Sequence, residues 1–276
     1  MTRFLTCLLF ALSLPVLVAG CASDKKEPVE KPVDQLYSEA RRAFNEKDYK
    51  EAANKFDEVE RQHPYSEWAT QAKINSAYAS YQADDYDMAV ATLDNFIELH
   101  PGHPDIAYAY YLRAICYYEQ IVDVGRDQEQ TRKATDALGE VIRRFPDTAY
   151  ARDAKFKKDL TLDHLAGKEM EIGRFYLKRK YYQAAINRFK TVIDQYQTTT
   201  HTPEALHRLV EAYLALGLPD EAKKMGAILG YNYPGSEWYQ ASYSLLTQGK
   251  TMQLDKPKPA KTTAGKLKNK ITGLFE

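Results

Sequence analysis

The stretch KDYKEAANKFDEVERQHP, residues 47–64, is followed by a second stretch of the same design, DDYDMAVATLDNFIELHP, residues 84–101. Each contains an aromatic residue, an alanine three positions later, an apolar residue four positions beyond the alanine, and a terminal His-Pro pair. The alanine precedes the proline by twelve residues in both copies, as Ala52 precedes Pro64. This self-similarity predicts a repeat architecture.

Three further copies complete the repeated region. They keep the twelve-residue spacing, from Ala134 to Pro146, Ala185 to Gln197 and Ala222 to Pro234. Apolar residues recur in each copy at intervals of three or four, which predicts an amphipathic helix that packs closely through its small alanine and ends before the proline. A second amphipathic helix is predicted before each copy, over residues 36–46, 69–82, 105–120, 168–179 and 203–216.

The paired helices resemble tetratricopeptide repeats, whose usual period is 34 residues. The third and fourth copies exceed this period, and their extra residues fall in a polar loop, 121–130, and in a helical extension, 150–167. Residues 236–246 are predicted to form the closing helix that covers the last apolar face of a solenoid. We therefore predict an all-α fold over residues 33–248, a right-handed α-α superhelix of five tetratricopeptide-like helix pairs with a C-terminal capping helix.

The N-terminus has the pattern of an export signal. Arg3 precedes an apolar segment, residues 4–20, which is interrupted by Pro15 and is short for a membrane span. Residues 1–20 are therefore predicted to be a secretory signal peptide. The segment ends in VAGC, residues 18–21, which resembles the lipobox of bacterial lipoproteins.

The lipobox resemblance implies that Cys21 is lipidated and that the chain is cut in front of it. Three acyl chains on this residue would anchor the protein permanently in a membrane. In such lipoproteins, the absence of an aspartate directly after the cysteine implies the outer membrane, here with the body on its periplasmic face. The alternative is an ordinary cleaved signal with an incidental cysteine. That alternative leaves Cys21 unexplained, because Cys7 lies in the signal and Cys116 is the only other cysteine.

Two segments are predicted to flank the folded region. Residues 21–32 contain charges and two prolines but almost no apolar residue, which is typical of a disordered tether. Residues 249–276 contain seven lysines and two acidic residues and are also predicted to be disordered. The chain as a whole has 38 basic and 38 acidic residues, and this neutrality argues against a nucleic-acid-binding protein.

The helix predicted over residues 105–120 carries two stripes of side chains. One contains Tyr111, Ile115 and Tyr118, and the other contains Tyr110, Arg113 and Tyr117. One stripe must face the neighbouring helices, so the other can line the groove of the solenoid. Two tyrosines around an arginine would offer apolar contact and hydrogen-bond donors to a ligand there. Alternatively, all of these tyrosines pack between helices.

The sequence contains no recognisable catalytic or cofactor-binding motif. A glycine-rich phosphate loop, a zinc-ligand spacing and a nucleophile elbow are all missing, so we expect no catalytic site, no cofactor and no metal. His63 and His100 each precede a repeat proline, where a cation is favoured by the helix macrodipole. The HPGHPD segment, residues 100–105, is better interpreted as a turn than as a metal site. Cys116 has apolar neighbours and is expected to be a buried, unreactive thiol.

Together, the signal, the tether and the five repeats resemble the tetratricopeptide lipoproteins of the β-barrel assembly machinery in the bacterial outer membrane. The resemblance extends over residues 30–248. Its most specific segments are HPDIAYAYYLRAICYY (103–118), VGRDQ (124–128), FPDTAYARDA (145–154) and AAINRFKTVI (184–193). The chain departs from the family at Gln197 and in the lysine-rich tail.

This resemblance implies a scaffold that aids the folding and insertion of β-barrel proteins. In the family, the C-terminal repeats dock on the last periplasmic domain of the BamA-type barrel subunit, and other assembly-machinery lipoproteins join the complex. Unfolded outer-membrane β-barrel precursors are received on the N-terminal repeats. By resemblance, Arg188 lies at the docking surface for the barrel subunit. Tyr110, Arg113 and Tyr117 are then candidates for contacts with precursors.

Two other classes of protein remain open from the sequence. One is a different tetratricopeptide lipoprotein, such as a pilotin that assists secretin or pilus assembly. The VGRDQ loop and the long fourth copy speak against it. The other is an envelope enzyme or its regulatory subunit, which the missing catalytic constellation disfavours.

Overall fold

A computed structural model describes residues 30–248 of the chain. The predicted signal peptide, Cys21, most of the predicted tether and the lysine-rich tail lie outside these residues.

Residues 30–248 form eleven α-helices and contain no strand, so the predicted all-α class is confirmed for this part of the chain. The helices are α1 (Val33–Asn45), α2 (Tyr49–Gln62), α3 (Glu67–Gln82), α4 (Tyr86–Leu99), α5 (Ile106–Glu119), α6 (Glu129–Arg144), α7 (Ala149–Lys178), α8 (Tyr182–Gln195), α9 (Thr202–Ala215), α10 (Pro219–Asn232) and α11 (Glu237–Gln248). Within this range, no helix combines the length and the apolar character that a membrane span requires.

The chain divides into two compact units after Ala79, within α3. In the first unit, α1 packs against α2. The core between them includes Leu36, Ala40, Phe56 and Val59, all of which are buried. Asp48 begins α2 by accepting a hydrogen bond from the backbone N–H of Glu51, which is the N-cap interaction expected of an aspartate.

In the second unit, each helix from α4 to α10 packs against the next one along the chain. The last helix, α11, contacts both α9 and α10, and therefore confirms the predicted closing helix. The largest core in this unit is built from α7 to α10 and includes Met170, Phe189 and Leu209, each fully buried. These contacts fix the positions of α5, which carries Arg113, and of α8, which carries Arg188.

The alanines that mark the repeats are buried, as predicted. Their fractional exposure is 0% at all five positions, Ala52, Ala89, Ala134, Ala185 and Ala222. A larger side chain at these fully buried positions would be expected to overpack the helix contact. The prediction that these residues lie where helices touch is therefore confirmed.

The short turn between the helices of a pair has the same construction in four copies. Its central residue adopts a left-handed conformation, with φ of 64° at Lys47, 58° at Asp84, 64° at Lys180 and 74° at Gly217. The next residue donates its N–H to a carbonyl five positions earlier, as Tyr181 does to Tyr176, which closes the end of the preceding helix. Glycine adopts this conformation freely, whereas other residues do so at a cost of about 1 kcal/mol or more.

The two predicted insertions belong to one substructure. The helical extension is continuous with the next predicted helix, so α7 runs for 30 residues from its N-cap, Thr148. The loop that precedes α6 is held against α7 by side chains of this long helix. His164 Nε2 lies 2.9 Å from the Val122 carbonyl oxygen, and Lys168 Nζ donates to the Gly125 carbonyl oxygen at 3.0 Å. The inserted loop is therefore a packed part of the fold.

Candidate functional site

Arg113 of α5, which is predicted to line the groove, lies between two acidic residues of neighbouring helices. Arg113 Nη1 donates to Asp94 Oδ1 of α4 at 2.7 Å, and its Nη2 donates to Glu140 Oε2 of α6 at 2.8 Å. Burial lowers the pKa of Arg113, but the hydrogen bond and charge of Asp94, together with Glu140, outweigh burial and leave the pKa above its ordinary value. The guanidinium is thus permanently charged and held across three helices.

Tyr110 packs between helices, as the alternative interpretation of the α5 tyrosines predicts, and does not line the groove directly. It is 8% exposed and packs with Ala114, Leu138 and Val141 in the core between α5 and α6. The guanidinium carbon of Arg113 lies 5.0 Å from the centre of the Tyr110 ring. That of Arg144 lies 5.1 Å from the same ring, within the range of a cation–π contact.

A groove of about 760 Å³ adjoins Arg113 and Tyr117, and it is bounded by α5, α6 and α7. Its wall carries charges of both signs, in Lys133, Asp136, Glu140, Arg143 and Lys158. Burial, followed by the negative charge of Asp94, raises the pKa of Tyr117, so its hydroxyl stays protonated and can donate. The structure therefore brings Arg113 and Tyr117 to one groove and places Tyr110 beneath it.

The stripe of α5 that contains Tyr111 contacts α7 through a polar cluster that the sequence pattern does not predict. The Tyr111 hydroxyl donates to Asp153 Oδ2 at 2.6 Å, and Lys157 Nζ donates to the same oxygen at 2.6 Å. Lys157 is only 4% exposed. Burial, reinforced by Asp153, raises the pKa of Tyr111, so this hydroxyl remains a donor. The i, i+4 spacing of Asp153 and Lys157 was the one available signal, and such pairs usually lie at the surface.

Arg188 lies at the edge of the packed face of α8. Its side chain is 43% exposed, and Nη1 lies 3.1 Å from Glu169 Oε2 of α7. Its neighbours Ala185, Phe189 and Val192 are fully buried, as the predicted stripe requires. Glu169 is the less exposed partner, at 16%, so it holds one edge of the guanidinium while the remainder faces solvent.

A buried charge cluster joins α9 to α11 and was also missed. Arg208 is 7% exposed and lies between Glu204, at 3.2 Å, and Glu211, at 2.8 Å. The adjacent His207 is fully buried, and its Nδ1 lies 2.9 Å from Ser242 Oγ of α11. Burial, followed by the charge of Arg208, lowers the pKa of His207 to about 4, so the ring is neutral at ordinary pH. Charged residues three and four apart normally indicate an exposed helix face, which is why the pattern misleads here.

Cys116 is fully buried in α5, in agreement with the interpretation of an unreactive thiol. Burial raises its pKa to about 12, which keeps the thiol protonated and weakly nucleophilic. In residues 30–248, no three side chains of His, Cys, Asp or Glu are grouped closely enough to hold a metal ion.

Comparison with known proteins identifies the family. A family model described as outer membrane lipoprotein matches residues 29–228, which include α1 to α9 and the first part of α10. A Caulobacter vibrioides protein named outer membrane protein assembly factor BamD is 52% identical over 240 residues, covering 86% of this chain and 79% of that protein. The chain belongs to the BamD family.

Other members of the BamD family match the chain over similar lengths. The Rickettsia prowazekii protein is 51% identical and covers 88% of this chain and 97% of its own length. The Neisseria meningitidis serogroup A protein is 34% identical and covers 83% of this chain and 92% of its own length. The predicted resemblance to lipoproteins of the β-barrel assembly machinery is thus confirmed at the level of the family.

Proposed function

We propose that this BamD-family chain is an outer membrane protein assembly factor that works as a scaffold on the periplasmic face of the outer membrane. The observation that carries the proposal is the identity of 51–52% to two assembly factors of that name over most of the chain. The binding surfaces described above support a scaffold, because they are formed by ion pairs and aromatic rings on rigid helices. These relatives do not favour the pilotin alternative.

The membrane attachment is assigned to Cys21. The VAGC sequence at residues 18–21 and the outer membrane lipoprotein description of the matching family support this assignment. Mass spectrometry of the mature N-terminus should find a triacylated cysteine at this position. The Cys21→Ser variant should be washed from the membrane fraction by high salt, which the lipidated parent should resist, because only ion pairs with proteins and headgroups would then hold it there, while its circular dichroism stays unchanged. An unmodified N-terminus at another residue would contradict the assignment.

Two partners are assigned to two separate surfaces of the second unit. The exposed edge of the Arg188 guanidinium is assigned to the periplasmic domains of the BamA-type barrel subunit, where it would bind a carboxylate. The groove beside Arg113 and Tyr117 is assigned to unfolded β-barrel precursors. It offers an aromatic ring, a hydroxyl donor and charges of both signs to an extended chain. Tyr110 would support this surface from below. The other lipoproteins of the machinery would complete the complex.

Photocrosslinking in cells tests the role in assembly directly. A benzophenone amino acid at Tyr117 should capture precursors of outer-membrane β-barrel proteins during their export, because this side chain lines the groove. The same amino acid at the exposed Lys224 of α10 is the matched control and should capture few or none. Equal capture at both positions, or capture only from α10, would reject the groove assignment.

A further inference from the structure

The turn between α7 and α8 lies in a run of sequence with no negative charge. Between Glu171 and Asp194 there are six basic residues and no acidic one, although the chain as a whole is neutral. Arg174 and Arg188, which lie away from the turn, pair with carboxylates of other helices. For the three basic residues at the turn, Lys178, Arg179 and Lys180, residues 30–248 provide no ion-pair partner.

Two aromatic rings stand beside these cations. Phe175 is 50% exposed and Tyr181 is 60% exposed, so a large part of each ring faces solvent. The guanidinium carbon of Arg179 lies 4.4 Å from the centre of the Phe175 ring. The turn therefore presents rings and cations together. We call Phe175, Lys178, Arg179, Lys180 and Tyr181 the turn patch.

Local structural roles account for only part of the turn patch. A cation at the end of a helix interacts favourably with the macrodipole, which explains Lys178 and Arg179 at the end of α7. Lys180 lies beyond the helix in the left-handed conformation, with φ of 64°, where the last helix pair has Gly217. This conformation closes the end of α7, as it does at Lys47 and Asp84 in other turns, but it does not require a charged side chain. The centres of the Phe175 and Tyr181 rings lie 5.6 and 6.5 Å from that of Tyr176, and half or more of each ring stays exposed beyond this contact.

We infer that the turn patch contacts the anionic phospholipid headgroups of a membrane surface. Lysine and arginine side chains are attracted to anionic headgroups, the amphipathic ring of tyrosine favours the boundary between headgroups and acyl chains, and an exposed phenylalanine can bury its apolar ring at the same boundary. Five side chains on one turn are far fewer than the 20–30 residues that each partner contributes to a stable protein interface. A contact of this size suits a membrane that is already close. The inference therefore rests on the proposed membrane attachment.

The test uses the chain from residue 21 onwards with Cys21→Ser, which retains every described residue and has no lipid. Its sedimentation with vesicles of equal parts phosphatidylglycerol and phosphatidylcholine is compared with that on phosphatidylcholine alone. We expect binding only to the anionic vesicles. The variant Lys178→Gln/Arg179→Gln/Lys180→Gln should bind about a hundredfold more weakly, at about fivefold for each cation near the surface. Phe175→Ala/Tyr181→Ala should also bind more weakly, and this loss should persist at high salt.

Two matched variants test whether a loss of vesicle binding comes from the turn patch itself, from the change in net charge or from a loss of folding. Lys133→Gln/Lys223→Gln/Lys224→Gln changes the net charge equally, at exposed lysines paired with carboxylates on their own helices, and should bind as the parent does. Lys180→Gly relieves the left-handed strain, so it should melt no lower than the parent while binding about fivefold more weakly.

Three outcomes would overturn the inference. The parent could bind both kinds of vesicle equally, or the two triple variants could lose binding equally. Alternatively, the turn-patch variant could keep its vesicle binding and lose capture of the barrel subunit, which would mean that the patch recognises a protein. Because the tested chain carries no lipid, each outcome is independent of whether Cys21 is lipidated.

Discussion

Replacing Phe189 with alanine should lower the free energy of unfolding by about 3 to 5 kcal/mol. The ring is fully buried in the largest core of the second unit, among residues of α7 to α10. Its removal would leave a cavity that four helices would have to close together, and close-packed helices relax only partially around such a space. Thermal unfolding followed by circular dichroism measures the effect. Phe175→Ala is the matched control on α7, and at 50% exposure it should change stability by less than about 1 kcal/mol.

The contact between Phe189 and Gly173 provides a second, sharper test of the same core. Alanine is a better helix former than glycine by about 1 kcal/mol, so Gly173→Ala would stabilise an open helix. Here the added methyl carbon would lie 2.8 Å from Cδ1 and Cζ of the Phe189 ring, which is too close. Gly173→Ala should therefore destabilise the protein, whereas the same change in the Phe189→Ala background should stabilise it. If Gly173→Ala changed the free energy of unfolding in the same direction in both backgrounds, the contact with Phe189 would not limit the packing.

Replacing Arg188 with glutamate should weaken capture of the barrel subunit's periplasmic domains by about 2 to 4 kcal/mol, a loss of thirtyfold or more. The reversed charge would repel the partner carboxylate that the exposed guanidinium is proposed to bind. Binding of the purified domains to the immobilised chain measures the loss. Melting should change little, because the pair with Glu169 is partly exposed and such pairs contribute about 0 to 1 kcal/mol.

Two controls separate docking from a structural role of Arg188. Lys190→Glu reverses a charge at an exposed position on the same helix and should leave capture close to wild type. Glu169→Gln removes the intramolecular partner and keeps the arginine, so capture should again be retained. If Glu169→Gln and Arg188→Glu reduced capture equally, the ion pair would act by shaping α8, and the docking assignment would be wrong.

Much of the fold could be predicted from the repeats. The twelve-residue spacing predicted the second helix of every pair. The alanine recurs because helices pack closely there, and the proline recurs because it ends the helix. The position of Tyr110 could not be predicted in the same way. A stripe pattern assumes that a helix has one covered face and one open face, but α5 also touches α7, the helix after next. Tyr111 accordingly points to Asp153, while Tyr110 is covered by α6.

The buried charges were the other part of the structure that sequence patterns could not predict. The sequence spacing predicts that Lys157 and Arg208 face solvent, because their carboxylate partners lie three or four positions away on the same helix. Burial of such pairs depends on which helices cover them, which is α5 for Lys157 and α11 for Arg208. Arg188 was placed correctly at the edge of its stripe because the residues around it follow a single apolar pattern.

The hydrogen bonds that hold the inserted loop against α7 have a consequence for the order in which the chain folds. Most contacts in the second unit join helices that are neighbours in sequence, and such contacts form quickly because little chain must be closed into a loop. The hydrogen bonds from His164 to Val122 and from Lys168 to Gly125 instead join residues 42 and 43 positions apart. They can form only once α6 and α7 as far as Lys168 are in place. We therefore expect the loop to be among the last segments of this unit to gain protection from hydrogen exchange during folding.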